Sequence, residues 1–235
     1  MQFKFKRLEV ANKAQTPAYE IQAKGGETTI YVYDVIGDMF GISASAFVKD
    51  LKAINAEKIT LRINSPGGDV FAARAMATAL REHPAKVTAV VDGLAASAAT
   101  TIALAADEVI MAEGSMMMIH NAWTMALGDS KEFLKVADML EKVNQQIAGD
   151  YQKRMNRSYD EIRGMMDEET WFTAAEALDA GLANSIQSGQ KASAMWDLSP
   201  FANAPVIEEP VSASSEPEFD MAAIRRRLTL LERIA

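Results

Sequence analysis

Two histidines, His83 and His120, are the only imidazoles in the 235 residues, so any mechanism that needs a nitrogen base near neutral pH has two choices. Their surroundings differ. His83 sits in Arg81-Glu82-His83-Pro84 at the end of a predicted helix, where histidine caps carbonyls and proline stops the helix. His120 closes the apolar run Met116-Met117-Met118-Ile119, the end of a predicted strand in an α/β sheet, where ligand sites gather. A nucleophile candidate is Ser97, in Val90-Val91-Asp92-Gly93-Leu94-Ala95-Ala96-Ser97-Ala98-Ala99-Thr100, a strand that passes through small residues into a helix. There the free amides and the positive end of the helix favour the anion that forms when a serine attacks a carbonyl. The plainer reading is a capping serine among close-packed alanines. A third element, Ile63-Asn64-Ser65-Pro66-Gly67-Gly68-Asp69, also joins a strand to a helix, and its glycines let backbone approach a substrate closely. It lacks the lysine of a phosphate-binding P-loop.

The elements that must position these residues follow from periodicity. Strands are expected over Thr29–Tyr33, Lys58–Ile63, Lys86–Val91, Glu108–Met111 and Met116–Ile119. Helices are expected over Ser43–Ile54, Asp69–Glu82 and about Ser97–Ala106, and the alternation argues an α/β fold with parallel strands. A longer helix, Ser130–Met155, sets Phe133, Val136, Leu140, Val143, Ile147 and Tyr151 on one face, an apolar stripe expected to meet another subunit. Residues 1–27 read as an N-terminal arm or edge strand, 28–188 as the main domain and 189–219 as a disordered linker. That linker carries four of the seven prolines among Ser, Ala and Glu. Residues 220–235 read as a short amphipathic helix.

Composition narrows the function. A hydrophobic share of 49% against 24% charged residues is that of a globular protein. The absence of cysteine removes thiolate chemistry, and two histidines would leave a zinc site leaning on carboxylates, so no metal or cofactor is expected. A formal charge of −8 opposes nucleic-acid binding, and no apolar run reaches the length of a membrane span, so a cytoplasmic setting is expected.

The runs Ile63–Gly68 and Gly93–Ala98, then Met118-Ile119-His120, then Trp171–Ala177 followed by Gly181-Leu182, resemble the four signature blocks of the ClpP family of serine peptidases, in that family's order and spacing. The resemblance covers about residues 28–187. It implies a spiral of ββα units, shared with crotonase-type enzymes, with the long helix protruding as a handle and with assembly into a homo-oligomeric ring. It further implies a Ser-His-acid triad of Ser97 and His120, with an oxyanion hole from the amides of Gly68 and Ala98, acting on polypeptide substrates. The family's usual aspartate falls on Glu169; Asp167 and Glu168 are the neighbouring alternatives.

Several positions depart from the family pattern. Ala98 stands where a methionine usually follows the nucleophile, Ala122–Asp129 is poorer in glycine than the usual substrate-binding strand, and the arm and tail are additions. Together these resemble the ClpP-like proteases of tailed phages and prophages, which mature the procapsid by digesting scaffold or coat segments. The alternatives are a bacterial-type subunit working with a Clp ATPase, and a catalytically idle scaffold-binding protein on the same fold. Acyl-CoA chemistry on the crotonase fold and a Ser-Lys peptidase are disfavoured by a serine and a histidine in these blocks.

Overall fold

The computed structural model describes residues 19–24, 26–38, 41–188, 196 and 198–205, all within one compact unit, Met1–Pro205. The expected arm before Tyr19 and the expected helix over 220–235 lie outside the described residues. In chain order the elements are β1 (Tyr19–Lys24), β2 (Glu27–Val32), α1 (Ala44–Ala53), β3 (Lys58–Ser65), α2 (Val70–Glu82), β4 (Lys86–Ala96) and α3 (Ala98–Ala103). They continue as β5 (Glu108–Ala112), β6 (Met116–Ile119), α4 (Ser130–Gln152), α5 (Tyr159–Asp167), β7 (Thr170–Thr173), α6 (Ala174–Asp179) and β8 (Ser185–Gln187).

The strands form one sheet in the order β1-β2-β3-β4-β5-β8, with β2 through β5 parallel. Along β2, β3 and the first part of β4 buried and half-exposed positions alternate, so one face of the sheet packs inward, and Ile30, Leu61, Ile63, Val87, Ala89 and Val109 lie on that face in the core. β1 runs antiparallel to β2 at the sheet's edge. Caps fix the helix starts: the Ser43 hydroxyl accepts from the Ala46 amide, and the Asp69 carboxylate accepts from the Ala72 amide at 2.8 Å. Each such cap is worth about 1 kcal/mol.

β4 is the strand that builds the site, because it changes partner along its length. Its first half pairs with β5 through Thr88–Val91, and its second half pairs with β6, Leu94–Ala96 against Met116–Met118. β6 in turn pairs antiparallel with β7, Met116–Ile119 against Thr173–Thr170. The ends of β3, β4, β6 and β7 therefore converge.

Three expectations are corrected. The segment Gly93–Ala96 is strand, because β6 extends the ladder past the point where β5 leaves it. The helix expected to reach Ala106 ends at Ala103, because the Arg154 guanidinium takes the carbonyls of Leu104 and Ala106. Within the expected linker, Trp196 and Phe201 are buried at 4% and 7% exposure, packed with Leu94, Ala96 and Met118. The Pro- and Ser-rich composition hid two aromatic anchors, each worth roughly 2 kcal/mol or more when buried.

Candidate active site

Ser97 follows β4 directly and opens α3. Its N–H donates to the Met118 carbonyl at 2.9 Å, so the β4–β6 ladder runs one residue into the turn. Its backbone is at φ 53°, ψ −124°, a region that residues with a Cβ rarely occupy. The side chain makes no capping bond to α3, which removes the capping reading. Its Oγ lies 2.8 Å from His120 Nε2. Below the turn, the Thr100 hydroxyl donates to the Ser97 carbonyl at 2.6 Å and receives the Tyr151 hydroxyl at 2.6 Å, tying the serine turn to the buried half of α4.

His120 arrives by register. Ala96 opposes Met118, so Ser97, one step beyond Ala96, and His120, two steps beyond Met118, meet at the same end of the sheet. Burial pushes the imidazole below its ordinary pKa of 6.5, and the nearby charge of Glu169 counters part of that shift. The ring is thereby held neutral at pH 7, as a general base requires. His83, by contrast, spends both ring nitrogens on the scaffold: Nδ1 accepts from the Ala85 amide at 3.1 Å and Nε2 donates to the Ile54 carbonyl at 3.2 Å.

The glycine turn lies against the serine turn. Gly67 is at φ +93°, and a Cβ there would stand 2.6 Å from the Ala96 carbonyl and 2.9 Å from the Ala98 amide. Gly68, at φ +144°, is pressed so closely on Ile36 that a Cβ would fall 2.1 Å from its carbonyl oxygen. Ile36 pins this turn by donating to the Gly67 carbonyl and accepting from the Asp69 amide, each at 2.8 Å. Gly67 thus lies against the Ala96–Ala98 backbone and the Ser97 Cβ, and Gly68 is the next residue of that turn.

On the other side of His120, the β6–β7 register ends at Ile119 opposite Thr170; one step further sets His120 opposite Glu169. Asp167 is turned away, its carboxylate accepting from Asn121 Nδ2 at 2.6 Å. The Glu169 carboxylate accepts from Trp171 Nε1 at 3.1 Å, the Ala202 amide at 3.1 Å and the Asn203 amide at 2.8 Å. Among the described residues no carboxylate hydrogen-bonds to His120, and Glu169 acts on it through its charge. Ser97 and Glu169 are the only described non-glycine residues at positive φ, so the backbone strain collects at two of the three expected triad positions.

A model of the Clp protease family matches residues 17–190, well over half of the chain and all four signature blocks. The chain belongs to the Clp protease family. Members of this family are serine proteases that degrade polypeptides and form homo-oligomeric rings. Among similar proteins, subunit 3 of the ATP-dependent Clp protease proteolytic component of Rhodococcus jostii is 27% identical over 184 residues, covering 77% of this chain and 89% of its own. A proteolytic subunit of an ATP-dependent Clp protease from Pleurastrum terricola is 28% identical over 134 residues, covering 56% of this chain and 68% of its own. An uncharacterized protein of Methanocaldococcus jannaschii is 40% identical over 100 residues, which span 38% of this chain and 35% of that protein.

Within this Clp protease domain, a cleft beside Ser97 and His120 is lined by Val70, Thr101, Ala122 and Ile147. The buried Asn144 of α4 accepts the Ala122 amide at 2.7 Å and so fixes the chain just after His120. Sequence reasoning missed the groups around Glu169: the Trp171 indole, Phe201, and the amides of Ala202 and Asn203. The available signal was a pair of aromatic residues, Trp196 and Phe201, in an otherwise polar stretch.

Proposed function

We propose that this protein is a serine endopeptidase whose triad is Ser97, His120 and Glu169. The 2.8 Å contact between Ser97 Oγ and His120 Nε2, made by a serine that is held out of its capping role, carries this reading. Ser97 Oγ attacks the scissile carbonyl as His120 Nε2 takes its proton. The Gly68 and Ala98 amides receive the negative charge on the carbonyl oxygen. His120 returns the proton to the leaving amine, and water, deprotonated by the same nitrogen, then hydrolyses the acyl-serine. Glu169 stabilises the imidazolium by its charge. No metal or cofactor takes part in these steps.

Head maturation in a tailed phage or prophage, with scaffold or coat protein as substrate, is the role we assign within that class. It is supported by Ala98 in place of the family's methionine and by the chain beyond the family-matched region, part of which packs beside the site. Such a protease works in the cytoplasm or inside the procapsid; among the described residues no helix is long and apolar enough to cross a membrane. Co-expression with the genes that neighbour its own, followed by mass spectrometry of the fragments, tests this role. Cleavage of a scaffold or coat protein that stops in Ser97→Ala supports it. Turnover that requires an added Clp ATPase favours the alternative, a subunit like the relatives named proteolytic subunits of ATP-dependent Clp proteases.

Ring assembly is proposed through the outer half of α4. The stripe divides: Ile147 and Tyr151 are buried within the chain, Val136, Leu140 and Val143 are half-buried and Phe133 is exposed; Leu134 and Met139 beside the stripe are exposed too, as is Leu127 just before the helix. A charge at Leu134, as in Leu134→Glu, is expected to break the assembly on sedimentation. An unchanged sedimentation coefficient would place the contact elsewhere.

A further inference from the structure

The segment after the family-matched region touches the site at three points. Trp196 Nε1 donates to the Asn64 carbonyl at 3.1 Å, at the end of β3 that leads into the glycine turn. Phe201 stands edge-on to the His120 ring, centroids 6.0 Å apart, and edge-on to Trp171 at 5.5 Å. The next two amides, Ala202 and Asn203, both donate to the Glu169 carboxylate, and Asn203 Nδ2 donates to the Glu168 carbonyl at 2.6 Å.

We infer that Trp196 and residues 198–205 form a clasp that completes the catalytic apparatus, with Phe201 and the Ala202 and Asn203 amides serving as positioning groups for His120 and Glu169. Glu169 has a left-handed backbone at φ 52°, and within its own stretch of chain its carboxylate is held by the Trp171 indole. Three N–H donors, two of them from the clasp, fix it by charge-assisted hydrogen bonds. Among the described residues Oε1 accepts from Trp171 and Asn203 and Oε2 from Ala202 alone, so of the roughly four acceptor positions of a carboxylate this grip leaves one on Oε2 for the imidazole during turnover. Phe201, itself buried, packs edge-on against the ring and adds to its burial, and burial is the main cause of the lowered His120 pKa. The clasp therefore acts on rate through orientation and through the protonation state of the base.

This inference rests on the triad reading, and the test separates the two. The full-length chain is compared with Phe201→Ala, Phe201→Tyr and Ala202→Pro, the last of which deletes one N–H to Glu169. The measurements are kcat and KM on a fluorogenic peptide across pH, thermal melting, and fluorophosphonate labelling of Ser97. The expected result for Phe201→Ala is a fall in kcat of about tenfold or more with KM nearly unchanged. Its acidic limb of kcat/KM moves to higher pH as the imidazole gains water. Phe201→Tyr keeps the wild-type rate and limb, and Ala202→Pro lowers kcat without changing KM. If Phe201→Ala fails to fold, Ala202→Pro decides. Unchanged or raised kcat in Phe201→Ala or in Ala202→Pro overturns the inference, as does a loss of rate in Phe201→Ala with no movement of its limb. A wild-type chain that neither labels nor cleaves removes the triad, and the clasp's role with it.

Discussion

The nucleophile side and the acid side of this site are built in opposite ways. Ser97 and His120 lie at the ends of two adjacent parallel strands, and the hydrogen bond from the Ser97 amide to Met118 makes their meeting a consequence of strand register. Glu169 reaches the same imidazole from an antiparallel pairing, but its carboxylate is held by amides that lie 33 and 34 residues further along the chain. Both residues carry positive φ, at 53° and 52°. In one case neighbouring elements impose the strain, as Gly67 packs against the serine turn; in the other a remote segment helps to hold the turn's side chain. A nucleophile can thus be specified by a short motif, whereas the acid depends on chain that the motif does not include.

Removing a group from the nucleophile side is expected to cost the most. His120→Ala should lower kcat/KM by about 10⁴-fold or more, since triad members act as a unit, while melting shifts little because among the described residues the ring makes only one hydrogen bond. A fall of less than tenfold would remove His120 from the role of base.

The acid side should be less costly. Glu169→Gln is expected to lower kcat by roughly a hundredfold, short of the ~10⁴-fold that goes with a hydrogen-bonded triad acid, because here the charge acts without a direct bond. Asp167→Asn should change kcat by less than about twofold, since its partner is Asn121. The reverse ranking would transfer the role to Asp167.

The pH profile sharpens the same comparison. The base must be neutral, so activity is lost as pH falls through the His120 pKa, which burial sets below 6.5. Glu169 raises that pKa, so Glu169→Gln should move the acidic limb to lower pH, the opposite direction from Phe201→Ala. Parallel shifts in the two variants would contradict an acid that acts by charge and a phenylalanine that acts by burial.

The smallest effect belongs to the other histidine. His83→Ala forfeits two hydrogen bonds to backbone and should cost about 1–2 kcal/mol of stability while leaving kcat unchanged. A change in kcat at constant stability would mean that His83 reaches the chemistry.

The readable parts of the sequence were those governed by local period and local motif. Ser43 and Asp69 cap the helices whose starts they marked, and the apolar run Met116–Ile119 is the strand that delivers His120. The stripe on α4 was visible from Phe133 to Tyr151, but its division into a buried and an exposed half depends on how far α3 and Ala122 reach along it. The end of α3 was illegible because Arg154, fifty residues downstream of Leu104, supplies the cap. The seating of Trp196 and Phe201 was illegible for the same reason: composition averages over a segment, and tertiary packing selects two residues from it.

Fluorophosphonate labelling of the full-length protein, with the modified residue located by mass spectrometry, tests the Ser97–His120 pair most directly. The expected result is a single adduct on Ser97, absent in Ser97→Ala and strongly slowed in His120→Ala, with peptidase activity lost in step with labelling. Peptide hydrolysis that persists in Ser97→Ala, or an adduct on another serine that tracks activity, would contradict it.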